Sequence, residues 1–202
     1  MNRRRRRTAV SALAACAVAA LSGCSAASEH PGAAAIVGNQ RIAVATLQAD
    51  VTAYQTALAQ DTTAQQGTAV SGQTLQLLVL AQVVQQTLAA QGLSVTESEV
   101  QQAEAADAAQ AGGAQALQQD FVQQLSLAPS SMDTYYRMRT GELLLLQRAG
   151  VDPSASDAGA QLQKIVSAAA DRLGVQVNPR YGVWSDQKLT LAAPSEPWLK
   201  KA

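Results

Sequence analysis

Side chains that could act as catalysts or as metal ligands are scarce in this chain. It has one histidine and two cysteines among 202 residues. Zinc sites built from histidine and cysteine, and catalytic triads that use histidine, therefore lack members. His30 stands beside Pro31 in a stretch of small and polar residues, where a solvated side chain is the simpler interpretation. We predict that the protein is not an enzyme.

Four acidic residues on a predicted helix raise the question of a cation site; they are Glu97, Glu99, Glu104 and Asp107. Carboxylate oxygens are the ligands that calcium prefers. However, Thr96 followed by Glu99 has the form of a capping box, and acids in a first helical turn are favoured by the helix dipole. The other two fit a solvated helix face. We therefore expect no metal ion and no other cofactor.

Cys24 is the side chain with the most specific chemical context. It ends a segment that resembles the bacterial lipobox, formed here by Leu21, Ser22, Gly23 and Cys24. In that motif a small residue precedes a cysteine that receives a diacylglyceryl thioether, and cleavage leaves this cysteine as the first residue. The resemblance implies lipidation of Cys24 and recognition of the three preceding residues by a signal peptidase. Ordinary cleavage after Ala26 or Ala27 is the alternative, and it would leave no lipid.

The residues before the cysteine have the pattern of an export signal. Residues 3–7 are arginines, and residues 8–21 are uncharged and rich in alanine, valine and leucine. Residues 9–21 would give about 20 Å of helix, which is shorter than a bilayer core of about 30 Å. We predict a signal peptide over residues 1–23 and a polar tether over residues 24–34. The mature chain is then expected at the cell membrane, anchored by lipid on the extracytoplasmic face.

The charge balance agrees with export and excludes one class of partner. Fifteen basic and fifteen acidic side chains cancel in the whole chain, whereas a nucleic-acid-binding protein shows a basic excess. Loss of the five early arginines with the signal peptide leaves an excess of five acidic side chains. No second apolar run reaches 18 residues. We expect contact with the membrane through the lipid and no binding of nucleic acid.

The first half of the mature chain predicts a hairpin followed by two helices. Residues 34–37 and 40–44 are β-prone and flank Gly38 and Asn39, which tolerate a positive φ in a tight turn. Apolar residues at helical spacing predict a helix over residues 46–60; they are Leu47, Val51, Tyr54 and Leu58. Residues 61–72 have the composition of a loop. Residues 73–91 predict a long central helix whose inner face carries Leu75, Leu78, Val79, Val83 and Leu88, with Gly92 just after its end.

The second half predicts four more helices and a β-prone end. The helices cover residues 96–111, 114–125, 132–148 and 154 to about 173, and residues 175–191 are β-prone. Gly112 and Gly113 separate the first two helices. Ser130 or Ser131 is expected to cap the third, and residues 150–153 to stop it. Ser154 and Asp157 are expected to open the fourth.

The order of these elements resembles the N-terminal chaperone module of the SurA and PrsA families. The resemblance rests on AIVGNQRI at 35–42, the Leu-rich helix, GLSVTESEV at 92–100, YYRMRTGELLLLQ at 135–147 and VNPRYG at 177–182. It implies a mainly α fold with a small β-sheet formed by the N-terminal hairpin and C-terminal strands. Residues 35–150 would form the helical domain, and residues 151–202 would complete it with a closing helix and strand. Val183 and Trp184 would return beside the N-terminal strand.

The chain departs from these families in one respect. Many members carry a parvulin-type prolyl isomerase domain before the closing helix, whereas here only residues 150–155 separate the two neighbouring helices. The resemblance therefore implies an ATP-independent chaperone without the isomerase, which binds unfolded or exported polypeptides through an apolar groove. An adaptor lipoprotein that binds one specific partner of the cell envelope is the alternative.

A cluster of methionine and tyrosine residues is the candidate for client binding. It consists of Met132, Tyr135, Tyr136 and Met138, of which Met132, Tyr135 and Met138 are the candidate contacts. Methionine is flexible and polarisable, which suits varied apolar partners. The same spacing is also ordinary for residues of a hydrophobic core, and the sequence leaves both interpretations open.

Overall fold

The computed structural model describes residues 32–60 and 69–194. Several predicted features lie outside the described residues: the signal peptide with Leu21, Ser22 and Gly23, the lipidation site Cys24, His30 with most of the tether, and residues 61–68 of the predicted loop. Residues 195–202 lie outside them as well. Both ends of the described chain belong to one compact unit that begins at Gly32.

The predicted N-terminal hairpin is confirmed. Strand β1 covers Ala33–Val37 and strand β2 covers Gln40–Ala43, and the two pair antiparallel. The turn between them needs Gly38, whose φ is +58°. The N–H of Gly38 donates to the carbonyl of Leu173 (3.1 Å), so the turn is also fixed to the C-terminal half of the chain.

A third strand from the C-terminal region completes the sheet. Strand β3, Gln176–Val177, pairs antiparallel with β1, which gives the strand order β2-β1-β3. Asn178 extends this pairing, because its N–H donates to the carbonyl of Ala34 (2.9 Å) and its side-chain amide donates to that of Ala33 (3.3 Å). The predicted fold class, mainly helical with a small sheet from both ends of the chain, is confirmed.

The expected position of Val183 and Trp184 beside β1 is wrong. They belong to strand β4, Val183–Ser185, which pairs with strand β5, Thr190–Ala192, in a separate hairpin. Pairing with β1 ends at Asn178 because Pro179 has no N–H to donate. The chain then turns, with the N–H of Tyr181 donating to the carbonyl of Asn178 (2.9 Å) and Gly182 at a φ of +143°.

Six α-helices and one short 3₁₀ helix account for most of the described residues. The α-helices are α1 (Val44–Gln60), α2 (Val70–Ala90), α3 (Glu97–Ala111), α4 (Ala114–Gln123), α5 (Met132–Arg148) and α6 (Ala158–Leu173). The predicted boundaries agree to within about three residues except at the start of α6, which is predicted to open at Ser154 and begins at Ala158. The 3₁₀ helix, Pro129–Ser131, was not predicted and runs directly into α5.

The predicted ends of two helices are confirmed in atomic detail. Thr96 caps α3 as one half of a capping box: the N–H of Glu99 donates to its hydroxyl (3.3 Å), and its own N–H donates to the Glu99 carboxylate (2.7 Å). Gly92 follows α2 at a φ of +70°. Its N–H and that of Leu93 donate to the carbonyls of Ala89 and Leu88, which is a Schellman arrangement.

The predicted side-chain caps of α5 and α6 are wrong. Ser131 occupies the position before α5, but its hydroxyl is buried and has no hydrogen-bond partner among the described residues, because the preceding 3₁₀ turn already engages the backbone there. Asp157 precedes α6 without capping it and accepts instead from the side chain of Gln161 (3.3 Å). Ser154 donates its hydroxyl to Asp152 (2.6 Å) in the preceding turn.

Helix α2 forms the centre of the core, as predicted. Its inner residues Leu75, Val79, Val83 and Leu88 are buried in a cluster with residues of β1, β2, α1, α5 and α6, whereas Leu78 is half-buried. A second cluster packs α3, α4 and the start of α5 together; it contains Leu77, Val100, Leu117, Phe121, Leu127, Met132 and Tyr136. Between the two clusters lies the half-buried Met138, which contacts both.

Candidate functional site

A groove of about 340 Å³ opens between α2 and α5. One wall is the outer face of α2, the second is the N-terminal half of α5, and the turn at residues 93–95 closes one end. The lining residues are Leu78, Ala81, Gln82, Val84, Gln85, Leu88, Ala89, Leu93, Ser94, Val95, Asp133, Thr134, Arg137 and Met138. A volume of this size is at the lower limit for ligand pockets, so the groove suits a side chain or a short segment.

The apolar floor of the groove depends on close contact between the two helices at Gly141. Val84 and Leu88 of α2 are buried against this glycine of α5. A Cβ at position 141 would lie 2.6 Å from Val84 Cγ1 and 2.9 Å from Leu88 Cδ1, so only glycine permits this approach. The half-buried Leu78, Leu93 and Met138 extend the apolar surface from this floor toward solvent.

Polar groups that are free to bind line one wall of the groove. Gln82 and Gln85 lie three residues apart on α2, and neither carboxamide makes a hydrogen bond within residues 32–60 and 69–194. A carboxamide has both donor and acceptor atoms, as does a peptide bond. This wall can therefore bind the backbone of an extended segment whose side chain contacts the floor.

An ion-pair network forms the rim on the α5 side. The guanidinium of Arg137 donates to Glu97 (2.7 Å), at the first turn of α3, and to Asp133 (2.8 Å), one turn earlier on α5. Hydrogen bonds to Asp133 and then to Glu97 raise the pKa of Arg137 above its ordinary value. The network joins α3 to α5: Asp133 and Arg137 line the groove, and Glu97 lies next to the lining through its ion pair with Arg137.

The structure separates the three candidate client contacts. Met138 lines the groove. Met132 is buried in the second cluster, where its side chain contacts other core residues. Tyr135 is half-buried, packs edge-on against Phe121 with ring centroids 5.1 Å apart, and accepts a hydrogen bond from Arg139 (3.0 Å). Of the three, only Met138 is therefore placed to contact a ligand in the groove.

Tyr136 is a core residue with a partly buried hydrogen bond. Its hydroxyl donates to Asp107 of α3 (3.0 Å). Burial, reinforced by this hydrogen bond and by the negative charge of Asp107, raises the pKa of Tyr136 above its ordinary value. The bond links α3 to α5 below the rim network, and it gives one of the predicted acidic residues a structural role.

The other acidic residues of α3 do not converge on a cation site. Glu97 pairs with Arg137, and Glu99 closes the capping box. Hydrogen bonds from the backbone and the side chain of Thr96 lower the pKa of Glu99. Within the described parts of the chain, no group of three or more acidic, histidine or cysteine side chains is placed to hold a metal ion.

Asn178 is the positioning residue that the sequence did not reveal. Its side-chain bond to Ala33 of β1 joins residues 145 positions apart, and its side-chain oxygen accepts from the N–H of Arg180 (3.2 Å). A second residue with a similar role is Gln86 of α2, whose amide donates to the carbonyl of Val37 (2.8 Å). Gln86 thereby fixes β1 against α2, the helix that forms one wall of the groove, and Asn178 fixes β1 against the C-terminal segment.

Comparisons with family models, with curated proteins and with solved structures found no match to this chain. The resemblance to the SurA and PrsA families therefore stays a prediction. Among the residues that the structure describes, no helix is both long enough and apolar enough to cross a membrane.

Two partly buried carboxyl groups predict a pH dependence of stability. Burial raises the pKa of Glu142 on α5, against a smaller opposing effect of Arg139, and burial raises the pKa of Asp50 on α1. Because both values are higher in the folded chain, these groups stabilise it below their unfolded pKa, and this contribution is lost as the pH rises through their folded pKa. Glu142→Gln should raise the free energy of unfolding at pH 7 by up to about 1 kcal/mol.

Urea unfolding at several pH values between 4 and 7 measures this effect. The glutamine side chain introduced by Glu142→Gln does not ionise. The stability of the variant should therefore decrease less than that of the parent between pH 4 and pH 7. Asp171→Asn, an exposed position on α6, serves as the control and should keep the pH dependence of the parent. If Glu142→Gln had the same pH dependence as the parent, the Glu142 carboxyl would be equally solvated in the folded and the unfolded chain, which contradicts the prediction.

Proposed function

We propose that this protein is a membrane-tethered, ATP-independent chaperone that binds unfolded exported polypeptides in the groove between α2 and α5. The observation that carries the proposal is the groove itself, with an apolar floor, a charged rim and a wall of carboxamides that make no hydrogen bond among the described residues. This combination suits chain segments whose apolar side chains are exposed and whose backbone groups are unpaired.

The energetics of such binding favour a weak and reversible complex. Each Å² of apolar surface removed from water contributes about 25 cal/mol, from which the cost of ordering an unfolded client must be subtracted. A groove of about 340 Å³ covers little of a client chain. While a client is bound, its exposed apolar segment is shielded from other apolar segments. The client then dissociates quickly, with no need for a nucleotide.

The predicted lipid and the charge of the chain suit the same role. Anchoring at Cys24 would hold the groove close to the membrane, where exported chains emerge. The acidic excess that remains after loss of the signal peptide keeps the chaperone and its complexes soluble. Both arguments rest on the sequence. Neither the anchor nor the charge requires one specific client, so both suit a protein that acts on many different clients.

Filling the groove is the sharpest test of this function. Ala81 lines the groove on α2, and in Ala81→Phe the new ring would occupy the space without removing any core contact. Ala106→Phe, on the exposed face of α3, is the matched control. We expect the parent and the control to suppress light scattering by several unfolded clients at stoichiometric amounts without ATP, and Ala81→Phe to lose at least half of this effect.

The outcome also separates the proposal from its alternative. Equal suppression by Ala81→Phe and by the parent would exclude the groove as the client site. No suppression with any client would contradict a chaperone function. Recovery of one protein rather than many in pull-downs from envelope extracts would favour the adaptor.

A further inference from the structure

We propose that the groove selects segments in which a bulky apolar side chain stands next to lysine or arginine. The apolar side chain would contact the floor between α2 and α5, and the cation would pair with the carboxylates of Asp133 and Glu97. This inference rests on the proposed function and specifies the substrate class of the same site.

The rim has an unbalanced negative charge that points to a cationic partner. Arg137 is shared between Asp133 and Glu97, so one positive charge faces two negative ones. The carboxylate side chains are 58% and 62% exposed, and that of Arg137 is 36% exposed. Oxygen atoms of both acids are therefore available to solvent, while the guanidinium is the more enclosed member of the network.

The excess arises from Glu97, which pairs with Arg137 but lies outside the lining of the groove. Of the described residues that line the groove, only Asp133 and Arg137 are charged, and the remainder are neutral. A lysine or arginine at the rim would bring the network to neutrality, whereas an acidic residue there would add a third negative charge. The charge of the rim thus discriminates between clients that fit the apolar floor equally well.

The carboxamides of Gln82 and Gln85 fix how such a segment would lie. With no hydrogen-bond partner in the described part of the chain, they can bind backbone N–H and C=O groups along the α2 wall. With its backbone on this wall, an extended segment presents one side chain to the floor, and a neighbouring side chain lies within reach of the α5 rim. Recognition then requires one apolar residue and one cation close together rather than a long motif.

Binding of three matched labelled peptides tests the inference. One has a central phenylalanine flanked by lysines, the second replaces the lysines by glutamates, and the third keeps the lysines but replaces phenylalanine by serine. Fluorescence anisotropy is measured with the full chain in the presence of phosphatidylcholine vesicles, whose zwitterionic headgroups carry no net charge, and vesicles alone give the baseline. We expect the lysine peptide to bind about fivefold more tightly than the glutamate peptide at low salt, with a smaller ratio at high salt.

Two variants locate the source of this preference. Asp133→Asn leaves Arg137 paired with Glu97 and makes the rim neutral, so the ratio between the lysine and glutamate peptides should fall to about twofold or less. Asp171→Asn makes the same change of charge on α6, outside the groove, and should keep the ratio near fivefold. Equal ratios in the two variants would exclude the rim carboxylates as the cause.

The failure of this inference is distinguishable from the failure of the proposed function. Equal affinity for the lysine and glutamate peptides, with the serine peptide bound weakly, would overturn the charge selection and leave the apolar groove as the client site. A serine peptide that binds as tightly as the phenylalanine peptide would overturn the apolar half of the inference. Absence of binding by all three would contradict both the inference and the proposed function.

Discussion

Replacing Gly141 by valine is expected to lower the free energy of unfolding by about 3 kcal/mol or more. The Cβ alone would lie 2.6 Å from Val84 Cγ1 and 2.9 Å from Leu88 Cδ1, and valine adds two methyl groups beyond it. These neighbours are buried, so relief requires α2 and α5 to separate. Valine is also a better helix former than glycine, but by less than about 1 kcal/mol, which is too little to offset the clash.

Urea or thermal unfolding of matched glycine variants measures this cost. Gly159 on α6 is exposed, and a Cβ there meets no atom within 4 Å. Gly159→Val should therefore keep the stability of the parent or gain slightly from the change in helix propensity. Gly141→Val should lower the Tm by roughly 6 to 12 °C, as expected for a chain of this size. Equal stability of the two variants would show that α2 and α5 are not in close contact at Gly141.

Replacing Cys24 by serine is expected to move the protein from the membrane fraction to the soluble fraction. Serine has no thiol to accept the diacylglyceryl group, so the predicted anchor cannot form. Each buried CH₂ contributes about 0.8 kcal/mol, and stable attachment needs two membrane-binding signals or chains. Within the described residues, no helix offers a substitute by spanning the membrane. The expected effect is therefore a loss of most membrane association.

Fractionation of cells that express each variant checks this prediction. Cys16→Ser is the matched control, because Cys16 lies inside the predicted signal peptide and would be removed with it. The control should stay in the membrane fraction, and metabolic labelling with a fatty acid should mark the parent and the control but not Cys24→Ser. Membrane association of Cys24→Ser equal to that of the parent would contradict lipid anchoring at this residue.

Many elements of the fold could be predicted because their causes lie close together in the sequence. The capping box needs Thr96 and Glu99, three residues apart, and the end of α2 needs Gly92 directly after the helix. The hairpin turn needs only Gly38 between two β-prone runs. In each case, a local hydrogen bond or a backbone angle determines the structure, so a short window of sequence is sufficient.

The features that the sequence predicted wrongly or left open depend on how neighbouring segments fold and pack. Ser131 has the right residue type for a cap, but a preceding 3₁₀ turn takes its place. Met132 and Met138 have equal chemical suitability for a client groove, yet one is buried in the core and the other lines the groove. Helical spacing places a side chain on a face, but the packing of α3 and α4 determines whether that face stays open.

The sequence by itself determined the helices, their principal caps, the hairpin and the scarcity of catalytic side chains. It also predicted an export signal and a lipid site from a contiguous run of residues. Tertiary structure alone decided which strand closes the sheet, where the groove opens and which charges stand at its rim. The physical reason is the range of the interactions: Arg137 reaches Glu97 across 40 positions, and Asn178 reaches Ala33 across 145. Such contacts depend on how complete helices and strands pack against each other.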